Sequence, residues 1–116
     1  MINENLTKIA AQKGYKTRKR HIFLCTRGSC ASEQESLKLW EFLKQRLKEI
    51  EPDVKKATIA RTQSGCLRIC TGGPIAIVYP EGTLYGHLNE EKLEKIIQDH
   101  LINGIPVKEF EIKVDT

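Results

Sequence analysis

Apolar residues along the chain fall into two rhythms. From Arg20 the run His21-Ile22-Phe23-Leu24-Cys25 is nearly continuous and stops at a glycine-containing loop. Such a run predicts a buried strand. The rhythm then lengthens: Leu37, Trp40, Leu43, Leu47 and Ile50 recur every three or four residues. That spacing predicts a helix over about 33–50, with Trp40 in the core. Ser32 and Glu35 form a capping-box pattern ahead of it, and Pro52 lies just beyond its end. A second strand is expected between Val54 and Thr62, around Ala57-Thr58-Ile59-Ala60. Ile75 to Tyr79 forms a third, Pro80 to Thr83 a turn, and Leu84 to Leu88 the return strand of a hairpin. Asn89 is placed to cap a last helix, with Glu90 and Glu91 favourable in its first turn. Its apolar stripe is Leu93, Ile96, Ile97 and Leu101, and Gly104 and Pro106 end it. Phe110, Ile112 and Val114 alternate, which predicts an edge strand in the tail.

The order is therefore β-α-β followed by β-β-α. A strand–helix–strand crossover is right-handed and pairs its strands in parallel. The simplest arrangement is an α/β fold with a four-stranded mixed sheet packed by helices. This topology resembles the thioredoxin-like fold, and Pro74 occupies the place of its proline before the third strand. Three segments are expected: a basic arm over 1–19, a compact domain over 20–106, and a tail over 107–116. Within the arm, Leu6, Ile9 and Ala10 suit a short helical turn.

The 116 residues fit one domain and can bury a core without disulfides. Hydrophobic residues are 40% and charged residues 29%, the mixture of a soluble globular protein. No apolar run approaches a membrane span. The start, Met1-Ile2-Asn3-Glu4-Asn5, lacks the basic and apolar parts of a signal peptide, so a reducing cytoplasm is expected. The formal charge is +4, with Lys13, Lys16, Arg18, Lys19 and Arg20 clustered where the arm leads into the domain. That cluster is read as a solvated arm, with docking of an acidic partner as the functional alternative. No nucleic-acid motif accompanies it.

The chemistry lies in the four cysteines, Cys25, Cys30, Cys66 and Cys70. Cys25 closes the first strand and Cys66 follows the second. Parallel neighbours bring their carboxyl ends together, the usual rim for ligands in open α/β sheets. Two pairs distant in sequence should therefore meet. Disulfides are disfavoured in a reducing compartment. Structural zinc remains open, although neither pair has the C-x2-C spacing of common zinc knuckles. A [2Fe–2S] centre takes four thiolates, two on each iron, and two pairs suit it. The C-x-x-C of a dithiol oxidoreductase and the plant-type ferredoxin spacing are both absent. His21, His87 and His100 lack the arrangement of a Rieske site and read as surface or strand-face residues.

The full pattern, Cys25-x4-Cys30-x35-Cys66-x3-Cys70, resembles the thioredoxin-like [2Fe–2S] ferredoxins. It is equally similar to the homologous small iron–sulfur subunit of NADH-dehydrogenase-like and bidirectional hydrogenase complexes. Gly73-Pro74-Ile75-Ala76-Ile77-Val78-Tyr79-Pro80-Glu81-Gly82, then Tyr85-Gly86, adds to the ferredoxin match, which spans about residues 20–106. The resemblance implies a one-electron carrier with redox partner proteins. It implies that Cys25 and Cys30 hold one iron and Cys66 and Cys70 the other, and that the chain pairs as a homodimer. The short arm favours a free carrier over a resident subunit of a larger complex. A zinc-binding interaction module is the alternative of another class.

A reduced cluster gains negative charge that donors or cations must offset. Backbone N–H groups near Gly28, Gly65, Gly72 and Gly73 are candidate donors, and Arg27, Arg61 and Arg68 are candidate cations. No nucleophile elbow, phosphate loop or HExxH is present, so a carrier is expected rather than an enzyme.

Overall fold

The computed structural model describes residues 4–12, 17–26, 33–64 and 73–112. Helix α1 (Glu4–Gln12) precedes strand β1 (Arg20–Cys25), helix α2 (Glu33–Ile50), strand β2 (Ile59–Ser64), strand β3 (Ala76–Tyr79), strand β4 (Thr83–Tyr85) and helix α3 (Glu90–Ile96). The sheet order is β2-β1-β3-β4. β1 pairs in parallel with β2, from Arg20 opposite Ile59 to Cys25 opposite Ser64. β3 is antiparallel to both β1 and β4. This is the mixed four-stranded sheet expected from the element order.

Period-two alternation divides the sheet into unlike faces. Ile22, Leu24, Ile59, Ala76, Val78 and Tyr85 join Leu39, Leu43 and Leu47 of α2 in one buried cluster. Leu93, Ile96, Ile97 and Leu101 complete it from α3 and its continuation. Both helices therefore cover the same face, where each large aliphatic side chain contributes about 2 kcal/mol on burial. Arg46 of α2 clasps Glu94 of α3 and also reaches Glu49. The other face carries His21 stacked on Phe23 at 4.1 Å, and Phe23 edge-on to Tyr79 at 5.9 Å. Tyr79 is 47% exposed there.

β2 begins later than the apolar run suggests. Asp53 folds the preceding residues into a 3-10 turn, Val54–Lys56, by accepting from the Lys55 N–H on Oδ1 and the Lys56 N–H on its carbonyl. The Glu51 carboxylate then accepts from the Thr58 N–H and hydroxyl and the Ile59 N–H. Pairing with β1 begins at Ile59, opposite Arg20. The end of the arm is fastened at the same place: the N–H groups of Lys19 and Arg20 donate to the Thr58 carbonyl, and the Thr17 hydroxyl donates to that of Ala57.

Asn89 caps α3 as its sequence position implies, its Oδ1 accepting from the Lys92 N–H at 2.8 Å. Past Ile96 the helix widens into π-type bonding over Ile97–Ile102. Gly104, at φ +77°, ends it. Conformation favours glycine there, and a Cβ would lie 2.8 Å from Arg20 Nη2, so a side chain would also displace that guanidinium. In the tail, the expected edge strand is a 3-10 turn, Lys108–Phe110, followed by a single antiparallel bridge from Glu111 to Tyr85. The reason is Val107, which is drawn into the core and donates its N–H to the Tyr85 hydroxyl. Val114 lies outside the described residues, as does Ser32 of the capping-box pattern. In the arm, the helical turn expected near Leu6 is the nine-residue α1, with Leu6 and Ile9 exposed.

Candidate metal centre

Cys25 is the last residue of β1 and is 1% exposed. Its backbone N–H donates to the Ile75 carbonyl at 3.0 Å. The next N–H, of Thr26, donates to the Ser64 carbonyl at 3.1 Å. These two bonds fix the start and the return of the connection between β2 and β3 against one dipeptide of β1. Pro74, joined to Gly73 by a cis bond, accepts from the Leu88 N–H at 3.2 Å, which ties the same corner to the approach to α3.

Among the expected ligands, Cys25 is described, whereas Cys30, Cys66 and Cys70 lie outside the described residues, as do Arg27, Arg68, Gly28, Gly65 and Gly72. A buried sulfur at the carboxyl end of paired parallel strands suits soft metals. The described residues alone contain no group of three or more His, Cys, Asp or Glu side chains that would hold a metal ion. Of the candidate cations, Arg61 is the one described. It stands opposite Ile22, three positions before Ser64, and its guanidinium lies 5.6 Å from the Trp40 ring centroid.

The sequence reading missed a second set of polar residues, at the opposite end of β1. His100 is fully buried, not on the surface. The Tyr85 hydroxyl lies 2.7 Å from His100 Nδ1, and His100 Nε2 lies 2.8 Å from Glu81 Oε1. The Tyr85 hydroxyl also accepts from the Val107 N–H at 3.0 Å, so Glu81, His100, Tyr85 and Val107 form one connected chain of hydrogen bonds. Glu81 also takes both Nε and Nη2 of Arg20, at 3.3 and 2.9 Å. Arg20, foremost, and then His100 hold the Glu81 carboxyl down to about 2. Burial pushes the Tyr85 phenol up, and burial followed by the Arg18 charge pushes His21 down. The signal for His100 was its spacing: it stands four residues after Ile96 and seven after Leu93, on the buried stripe.

No helix among the described residues is long and apolar enough to cross a membrane. No family model matches the chain. A 2Fe–2S ferredoxin of Clostridium pasteurianum is 33% identical over 102 residues, covering 81% of this chain and 96% of that protein. One from Aquifex aeolicus is 30% identical, covering 80% of this chain and 88% of its own length. Among solved structures, a thioredoxin-like [2Fe–2S] ferredoxin from Aquifex aeolicus superposes with a TM-score of 0.71 at 28% identity, covering 83% of this chain and 92% of that one. The sheet order, the cysteine spacing and these likenesses agree, and the chain belongs to the thioredoxin-like [2Fe–2S] ferredoxin family.

Proposed function

We propose that this protein carries single electrons on a [2Fe–2S] cluster held by Cys25, Cys30, Cys66 and Cys70. The observation that supports the ligand set is the pair of backbone bonds at the end of β1, from Cys25 to Ile75 and from Thr26 to Ser64. Cys66 is two residues from Ser64, and two residues of chain reach about 7 Å at most. Cys70 lies on the same segment, whose return is tied to Cys25 itself. Cys30 is five residues beyond Cys25. The four sulfurs thus belong to two segments that leave one corner of the sheet.

When bound, the cluster supplies reversible one-electron chemistry. The chain binds it, keeps Cys25 out of water, and positions the rim at the end of the β1–β2 ladder. No substrate pocket is required, so the protein is a carrier with no turnover of its own. Thiolate ligands suit a reducing compartment, the cytoplasm. The sheet face bearing Phe23, Ile77, Tyr79 and Leu84 supports a homodimer, because an aromatic face left to water is a typical contact surface. Tyr79→Arg is expected to shift the sedimenting species from dimer to monomer.

Anaerobic purification followed by a visible spectrum before and after dithionite tests the cluster. Iron with acid-labile sulfide and a spectrum that bleaches on reduction are expected. Cys66→Ser and Cys70→Ser should each change or abolish that spectrum. A colourless protein containing zinc and no sulfide would overturn the reading in favour of a structural module.

A further inference from the structure

A groove of about 530 Å³ opens between the N-terminal turns of α2 and α3. Its floor is apolar and buried: Leu39, Pro74 and Leu88. Its rim carries three carboxylates, Glu35, Glu90 and Glu91, against one lysine, Lys38. All four rim residues are exposed. The chain as a whole is at +4, so this concentration of negative charge runs against the overall sign.

The groove also has a defined place relative to the cysteines. Pro74 is four residues after Cys70, and Glu35 is five residues after Cys30. One wall thus continues each of the two cysteine-bearing segments. We propose that this groove docks a basic redox partner protein, which inserts an apolar side chain between Leu39, Pro74 and Leu88 while its lysines or arginines meet Glu90, Glu91 and Glu35. The inference rests on the cluster reading above and adds the partner's chemistry. In the docked pair one electron leaves this chain and reduces the partner's oxidised centre, with no bond made or broken.

An apolar floor gains by burial, and a charged rim steers encounter and fixes orientation. Steering by exposed carboxylates weakens with salt, because charges are screened beyond about 10 Å at 0.1 M. Rate and salt dependence therefore report this surface directly.

The test mixes the dithionite-reduced holoprotein with oxidised cytochrome c, a lysine-rich haem protein, in an anaerobic stopped-flow instrument. Glu90→Gln combined with Glu91→Gln should lower the second-order rate about three- to tenfold at low ionic strength, and the difference should vanish near molar salt. Lys38→Glu should raise the rate. Glu109→Gln combined with Glu111→Gln removes the same charge away from the groove and should leave the rate within about twofold. The neutral oxidant tris(acetylacetonato)cobalt(III) should react equally with all variants, since it does not sense the rim.

Equal losses in the two double variants would reduce the effect to net charge and overturn the proposal. So would an unchanged rate in Glu90→Gln/Glu91→Gln. A changed oligomeric state in that variant would assign the groove to a second copy of the chain, which also overturns it. Absence of a visible spectrum in the unmodified protein would instead remove the cluster reading on which the inference stands.

Discussion

The two ends of β1 are held by different kinds of bond. At Cys25 the restraints are backbone amides, donated to Ile75 and Ser64. At Arg20 they are side chains, running through Glu81, His100 and Tyr85 to the Val107 amide. Six residues of strand separate these ends by about 16 Å. The difference divides labour. The Arg20 end joins β1, the hairpin, α3 and the tail through a polar chain with a buried centre, which makes it costly to disturb. The Cys25 end is fastened chiefly through the main chain, at the positions that begin and close the connection from β2 to β3.

Variants at the Arg20 end can break or sharpen this contrast, since each should cost stability and leave the visible spectrum of the holoprotein unchanged. His100→Ala has the largest expected effect. It empties a fully buried site and strips partners from Tyr85 and Glu81, for about 3 kcal/mol in denaturant unfolding. Tyr85→Phe keeps the ring but orphans the Val107 N–H and His100 Nδ1, for about 2 kcal/mol. Gly104→Ala forces a side chain into positive φ against the Arg20 guanidinium, and a loss of about 1 kcal/mol is expected in the same assay.

Glu81→Gln has the smallest expected effect, and it depends on pH. Folding depresses this carboxyl, so its stabilisation is present above the ordinary 4.5 and is lost as pH falls through about 2. Unmodified and Glu81→Gln proteins should therefore differ at neutral pH and converge in acid, as followed by circular dichroism. A spectrum that changes in His100→Ala or Tyr85→Phe would refute the separation of the two ends.

Much of this was legible in the sequence where one residue's chemistry decides the outcome. The Glu33–Ile50 helix, the β3–β4 hairpin and the Asn89 cap follow from periodicity, turn residues and a single side chain. The start of β2 was not, because Glu51 and Asp53 draw the backbone into local bonds that hydropathy does not register. In the tail the alternation of Phe110, Ile112 and Val114 showed in part: Glu111 bridges Tyr85 and the Ile112 N–H donates to the Leu84 carbonyl on the edge of β4, but a 3-10 turn at Lys108–Phe110 comes first, which hydropathy does not register. His100 was assigned by residue type to the surface, although its helical spacing placed it inside. Of the proposed ligands, the sequence supplied the set of four and the ladder explains the position of Cys25. The Glu90–Glu91 pair was read as helix-end charge alone, and only the neighbouring floor of Leu39, Pro74 and Leu88 suggests a contact surface.

The amides of residues 25 and 26 are already spent on carbonyls of the neighbouring strands. In the proposed centre they have no hydrogen left to give to a sulfide or thiolate. N–H donation to sulfur in that centre is thus left to amides beyond this dipeptide, the candidates near Gly28, Gly65, Gly72 and Gly73 among them. Adjusting the voltage of this carrier should then be a matter of rewriting two short connections, with the architecture beneath them left alone.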